Sequence, residues 1–74
     1  MQTVYISLPT AGKAHEFVVC ISALEGQFDL LSGKHILDAK SLMGILSLDL
    51  TKPLKLRVEK DTVNTIQALK EFIV

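Results

Sequence analysis

The sequence is poor in aromatic and thiol side chains. It contains no tryptophan, one tyrosine, three phenylalanines and one cysteine. We therefore expect no large aromatic platform on which nucleic-acid bases or sugar rings could stack. Cys20 has no partner for an internal disulfide, which fits a reducing compartment such as the cytoplasm. His15, His35 and Cys20 lack the spacing of a zinc site, so the residues predict no metal and no other cofactor.

The chain also lacks an excess of either charge and any long apolar run. Eight basic residues balance eight acidic residues. They are scattered rather than gathered into the basic stripe that is typical of nucleic-acid binders. No stretch of 18 apolar residues is present, so we expect no membrane span. The first residues lack the basic start and apolar core of a signal peptide.

What the chain does have is aliphatic side chains. Hydrophobic residues make up 49% of the 74 positions, and most are leucine, isoleucine or valine. This content is enough for one hydrophobic core, and we expect one domain over residues 1–74. Its stability should be modest, because a chain of this size buries only about 60% of the surface that its unfolded form exposes.

Hydrophobic periodicity predicts a strand and then a helix in the first third of the chain. Residues 4–8 alternate in type, as in a half-buried strand. Residues 9–12 contain proline and glycine and end that strand. Helical spacing then predicts a helix over residues 14–24, with Gly26 at the position of a C-cap. The residues on its expected inner face are Phe17, Val18, Cys20, Ile21 and Leu24.

Two short strands are predicted next, over residues 27–31 and 35–38. Residues 32–34 read Ser-Gly-Lys between them, which is a hairpin signal. Phe28 and Leu30 would share one face of the first of these strands. His35 is expected at a strand end or in a turn.

The last third predicts a short helix, a strand and a final helix. Ser41 is an expected N-cap for a helix over residues 41–46. Residues 54–58 alternate cleanly between apolar and charged side chains, which indicates a strand. Asp61 or Thr62 would then cap the final helix. The residues on its expected inner side are Val63, Ile66, Leu69, Phe72 and Ile73.

This element order, βαββαβα, predicts an α+β fold in which helices cover one face of an antiparallel sheet. The other face of the sheet would turn toward water. The residues expected on that face are Thr3, Tyr5, Lys55, Arg57 and Glu59.

Residues 38–48 read Asp-Ala-Lys-Ser-Leu-Met-Gly-Ile-Leu-Ser-Leu. This stretch and the element order resemble HPr, the histidine-containing phosphocarrier of the bacterial sugar phosphotransferase system. The resemblance extends over nearly the whole chain, from Val4 to the last helix. It implies an open-faced β-sandwich of four antiparallel strands covered on one face by three helices.

The resemblance breaks down where HPr carries a Gly-x-His-x-Arg-Pro-Ala motif, whose histidine takes the phosphoryl group at the start of the first helix. Here His15 lies one place too far from Gly12, Glu16 stands in place of the arginine, and Phe17 in place of the proline. The Glu16 carboxylate would repel a phosphoryl group of about −2 charge. Lys13 would offset this in part. We therefore expect a degenerate phosphocarrier site, with His15 as its only candidate acceptor.

Ser41 resembles the regulatory serine of the family, which an ATP-dependent kinase phosphorylates in some bacteria. Free amides at a helix start can accommodate a phosphate, and Lys40 adds positive charge. A capping role for the same hydroxyl is compatible with modification. By resemblance, the partner-binding residues are Lys40, Leu42, Met43 and Ser47, whereas Leu46 is expected in the core.

Three functions remain open. The first is a regulatory adaptor of the phosphotransferase system that is not an enzyme. By resemblance, its partners are phosphotransferase proteins, a serine kinase or a carbon-control regulator. The second is a genuine phosphocarrier that uses His15. The third is a small-molecule-binding regulatory module, since a fold does not fix a function. The sequence argues against it, because it has no glycine-rich phosphate loop and no cluster of polar residues. The apolar end of the chain fits a packed last turn or a small dimer contact, and hence a monomer or weak dimer.

Overall fold

The fold is a four-stranded sheet with three helices. The computed structural model describes residues 2–59 and 63–74. The elements, in chain order, are β1 (Gln2–Ile6), α1 (Ala11–Ser22), β2 (Phe28–Ser32), β3 (His35–Asp38), α2 (Leu42–Leu46), β4 (Leu54–Val58) and α3 (Val63–Ala68). This order confirms the predicted βαββαβα arrangement. Among the described residues, none of the helices has the length and hydrophobicity that crossing a bilayer requires.

The sheet has the strand order β1-β4-β2-β3, and every neighbouring pair is antiparallel. Its inner face, which turns toward the helices, carries the alternating apolar residues because side chains of a strand point to opposite faces in turn. Leu54, Leu56 and Val58 of β4 are all buried there, as are Phe28 and Leu30 of β2. The outer face turns away from the helices and carries mostly polar residues, together with Leu31 and Ile36.

The core forms where α1 and the end of the chain meet the inner face of the sheet. Helical spacing places Ala14, Phe17 and Ile21 on one side of α1, and all three are buried. The rings of Phe17 and Phe72 pack edge to face, with their centroids 5.4 Å apart. Such a pair stabilises a core beyond the area that it buries.

The end of the chain packs along β1. The Ser7 amide donates to the Phe72 carbonyl at 2.8 Å, and the Val74 amide donates to the Tyr5 carbonyl at 2.9 Å. Phe72 is buried and Ile73 is half-buried, which confirms a packed last turn. The predicted cap at Asp61 or Thr62 and the side chain of Val63 lie outside what the structure describes.

Two local predictions about α1 are wrong. The helix begins at Ala11, three residues earlier than predicted, because Thr10 rather than a later residue caps it. It ends at Ser22 with Ala23 as C-cap, whose amide donates to the carbonyls of Cys20 and Ile21. Gly26 lies beyond the cap in the connection to β2, where its φ of 101° supplies a left-handed turn.

The prediction that Leu46 belongs to the core is also wrong. Leu46 is 43% exposed, and Ile45 is the residue of α2 that is fully buried. Because α2 spans only five residues, little more than one turn, only a small part of it can face the sheet.

Candidate functional site at the starts of the first two helices

The start of α1 is organised by Thr10. Its backbone is extended (φ −133°, ψ 160°), and its Oγ1 accepts a hydrogen bond from the Lys13 amide at 3.1 Å. Its carbonyl accepts from the Ala14 amide at 3.0 Å. Among the described residues, the amides of Ala11 and Gly12 are left without a partner, as expected for the first turn of a helix.

His15 does not lie at this start. It is the fifth residue of α1 and is exposed, so it belongs to the second turn. Lys13, the nearest lysine in the chain, places its Nζ 3.7 Å from Glu16 Oε2 and 5.9 Å from the centre of the Phe72 ring. The Lys13 ammonium is therefore directed to a carboxylate and to the Phe72 ring.

Arg57 is the only arginine in the sequence, and it lies on the outer face of the sheet. Its Nη2 is 3.0 Å from Asp29 Oδ2, across the β4–β2 pair. Gln27 Nε2 donates to the other oxygen of the same carboxylate at 3.4 Å. No guanidinium can therefore serve the start of α1, which lies on the opposite side of the sheet.

The start of α2 is organised by Ser41. The Ser41 side chain is exposed, and its Oγ accepts a hydrogen bond from the Gly44 amide at 3.3 Å, which confirms the predicted N-cap. Because Gly44 has no side chain, the side chains of Ser41 and Leu37 can lie close to its backbone. A Cβ at position 44 would lie 3.3 Å from Ser41 Oγ and 3.5 Å from Leu37 Cδ1. At the other end of α2, Ser47 Oγ donates to the Gly44 carbonyl at 2.6 Å.

Lys40 precedes Ser41 but has its own partners. Its Nζ donates to the Leu24 carbonyl at 3.3 Å and lies 5.7 Å from the centre of the Phe28 ring. Its amide donates to Asp38 Oδ1 at 2.9 Å. The Lys40 ammonium is thus bound to the segment that follows α1.

Cys20 lies on the inner side of α1, as predicted. It is half-buried, and its Sγ donates to the Ala68 carbonyl at 3.3 Å. Burial raises the pKa of the Cys20 thiol, and the Glu71 carboxylate raises it further. Nothing here stabilises a reactive thiolate. The described residues include no group of three or more histidine, cysteine, aspartate or glutamate side chains that could hold a metal.

Several solved structures are similar to this chain. The crystal structure of HPr-C-His from Thermoanaerobacter tengcongensis superimposes with a TM-score of 0.77 and 30% sequence identity, over 96% of this chain and 89% of that chain. This chain belongs to the HPr family. No family model matches the sequence, and no curated protein matches it either.

Family membership makes the start of α1 informative. In the HPr motif the acceptor histidine begins the first helix, and in this chain Thr10 caps that helix while His15 follows one turn later. Sequence reasoning did not find the position of Thr10, because it compared the two motifs through Gly12. A signal was present, because threonine is a preferred N-cap residue and Thr10 directly precedes the first helical residue.

The HPr-like segment around Ser41 presents apolar side chains to solvent. Met43 is 83% exposed and Leu46 is 43% exposed, while Leu42 is half-buried. Met43 and Leu46 are three residues apart, a spacing that puts two side chains on one side of a helix. Val19 of α1 is 60% exposed, and α1 contacts α2. Leu46 and Val19 were not among the predicted contact residues.

Proposed function

We propose that this chain is an HPr-family adaptor without a working phosphocarrier site, which binds proteins of the phosphotransferase system and is regulated by phosphorylation at Ser41. One observation carries the proposal. The only arginine, Arg57, is bound to Asp29 on the outer face of the sheet, away from His15.

Phosphoryl relay needs donors that hold the phosphate oxygens beside the accepting imidazole. Arginine is the best such donor because its planar fork makes two parallel hydrogen bonds. At His15 the neighbouring side chain is Glu16, and the Lys13 ammonium is already 3.7 Å from that carboxylate. A phosphoryl group of about −2 charge on His15 would be repelled by Glu16 rather than held.

The proposed docking surface consists of Leu42, Met43, Leu46 and Ser47. Methionine suits such a surface because its side chain is flexible and polarizable. Met43 and Leu46 do not belong to the core, whereas Ile45 is buried in it and Leu42 packs against it. Lys40 lies at the edge of this surface, with its ammonium bound to Leu24.

Phosphorylation would add a strong anion beside this surface. A kinase would transfer the terminal phosphoryl group of ATP to Ser41 Oγ, with loss of the hydroxyl proton and release of ADP. Because α2 has only five residues, its dipole contributes little. The Lys40 ammonium is occupied by the Leu24 carbonyl. The phosphate would therefore remain available to arginine or lysine side chains of a partner.

The relay is tested with phosphoenolpyruvate and the first enzyme of the phosphotransferase system. Intact mass is measured for the chain and, as a positive control, for an ordinary HPr. We expect the control to gain an acid-labile phosphoryl group and this chain to gain none. A carrier role is the alternative, and the exposure of His15 favours it. An acid-labile gain that disappears in His15→Ala would establish that alternative.

Regulation is tested with an HPr serine kinase and ATP. The wild-type chain should gain one acid-stable phosphoryl group, and Ser41→Ala should gain none. Ser22→Ala is the matched control, because Ser22 is an exposed serine at the end of α1 and lies outside the proposed docking surface. Phosphorylation of Ser41→Ala would remove Ser41 from the proposal.

Docking is tested by titrating the Ser41-phosphorylated chain with a carbon-control regulator of the phosphotransferase system. Met43→Ser should weaken binding about tenfold, in the range of a well-buried contact residue. Ile36→Ser is the matched control, because Ile36 is 62% exposed on the outer face of the sheet. Equal losses in the two variants would show that the α2 surface is not the contact.

A further inference from the structure

A second candidate site lies on the other side of the molecule. An open cleft of about 500 Å³ occupies the end of the sheet where β2 ends and β4 begins. Its volume falls within the range of small-molecule sites, about 300–1,000 Å³. None of the residues proposed above for docking or regulation lines it.

The floor of the cleft is a row of side chains across three strands. The strand register places Tyr5 opposite Lys55 and Lys55 opposite Leu31, so the three lie side by side on the outer face. Tyr5 is 53% exposed and Leu31 is half-buried. Pro53 adds an apolar wall from the turn before β4. Tyr5, Leu31 and Pro53 thus give the cleft an apolar part beside Lys55.

The charge of the cleft is positive. Lys52 and Lys55 line it, and neither forms an ion pair within the described part of the chain. Asp49 is the acidic residue that lines it. Its Oδ1 accepts hydrogen bonds from the Thr51 amide at 3.0 Å and from Thr51 Oγ1 at 2.5 Å. The Thr51 hydrogen bonds, and after them the Lys52 ammonium, lower the pKa of the Asp49 carboxyl, so this carboxylate keeps its charge. The lining therefore carries two ammonium groups and one carboxylate, a net positive charge.

We propose that this cleft binds a small organic phosphate with a flat, apolar carbon skeleton. The phosphate would lie between Lys52 and Lys55, since two ammonium groups match its charge of about −2. The skeleton would lie against Tyr5 and Leu31. A ligand there would reach the chain from the face opposite the helices, so this site is independent of the adaptor function.

Phenyl phosphate is the probe for this site. The full chain is titrated while amide shifts are followed by two-dimensional NMR, with Tyr5 fluorescence as a second readout because Tyr5 is the only tyrosine and tryptophan is absent. We expect saturable binding with a Kd on the order of 1 mM or tighter. The shifts should be confined to the cleft. Inorganic phosphate should bind at least tenfold more weakly, and benzyl alcohol should give no saturable shift.

Charge variants test the assignment. Lys52→Gln and Lys55→Gln should each weaken phenyl phosphate binding about tenfold, with an unchanged circular dichroism spectrum. Lys70→Gln is the matched control, because Lys70 is exposed beyond the end of α3 and does not line the cleft. The proposal is overturned by the absence of saturable binding, or by equal affinity for inorganic phosphate. Equal losses in Lys70→Gln, or binding of an acidic peptide without binding of phenyl phosphate, would overturn it as well.

Discussion

The starts of α1 and α2 are built in the same way but differ in what surrounds them. At each start a hydroxyl accepts a hydrogen bond from the amide three residues later, at 3.1 Å for Thr10 and 3.3 Å for Ser41. Around Thr10, the imidazole and guanidinium of the HPr motif are absent. Around Ser41, the HPr-like segment is retained with its apolar side chains exposed.

The comparison separates helix capping, which depends on neighbouring residues, from phosphoryl transfer, which depends on several parts of the chain. Capping needs only one hydroxyl and one amide three residues away. Phosphoryl transfer needs several charged groups to converge. In this chain the single arginine, Arg57, lies on the other side of the sheet, where it is paired with Asp29. A capped helix start can therefore form whether or not charged groups converge beside it, and four experiments compare the α1 and α2 regions.

The largest effect is expected in α1, at the buried residue Phe17. Phe17→Ala removes the ring that packs against Phe72 and should lower the free energy of unfolding by about 3–5 kcal/mol. This approaches the whole stability of a chain of this size. Val19→Ala in the same helix should change it by at most about 0.5 kcal/mol, because Val19 is 60% exposed. Urea denaturation measures both, and similar losses in the two variants would show that the contact between Phe17 and Phe72 adds little to the stability of the fold.

The next largest loss of stability is expected at the two helix caps, and the two losses should be similar. Thr10→Ala and Ser41→Ala should each lower the free energy of unfolding by about 1 kcal/mol, because each leaves an amide without its acceptor. Thr10→Ser and Ser41→Thr keep the acceptor and should retain most of the stability. Chemical denaturation of the four variants gives the comparison. If Thr10→Ser loses as much as Thr10→Ala, the hydroxyl at α1 is not the stabilising group.

The two glycines near the caps should respond differently to alanine. A Cβ at Gly12 would meet only Thr10 Oγ1, at 3.8 Å, whereas a Cβ at Gly44 would lie 3.3 Å from Ser41 Oγ. Gly12→Ala should raise the free energy of unfolding by about 0.5 kcal/mol through helix propensity. At Gly44 the same gain should be cancelled by the displaced cap. Equal gains in thermal denaturation would mean that the Ser41 side chain adapts freely.

The smallest effect concerns pH and Cys20. Because the fold raises the pKa of this thiol, its contribution to stability is present below the thiol's unfolded pKa. That contribution is lost as pH rises through the raised folded pKa. As the pH rises above about 8.5, the ordinary pKa of a thiol, wild type should lose slightly more stability than Cys20→Ala. Iodoacetamide should also alkylate Cys20 with a pH midpoint above that of the urea-unfolded chain. A lower midpoint in the folded chain would contradict the raised pKa.

Sequence reasoning was most successful where a pattern is local. The alternation of Leu54, Leu56 and Val58 predicted β4 and its buried face because strand side chains alternate in direction. Ser41 was predicted as a cap for the same kind of reason. Local patterns did not locate the start of α1, because proline at position 9 and glycine at position 12 looked like a longer break than the structure contains. They also assigned Leu46 to the core, although Ile45 and, in part, Leu42 are the residues of α2 that pack there.

The sequence alone determined the element order, the alternating core residues and the HPr-like segment at Ser41, since each depends on residues a few positions apart. Only the tertiary structure decided that Arg57 binds Asp29, 28 residues away, and that Tyr5, Leu31 and Lys55 share one cleft. Contacts of this kind depend on strand register and on how the chain returns to the sheet. Periodicity within a single element carries no information about either.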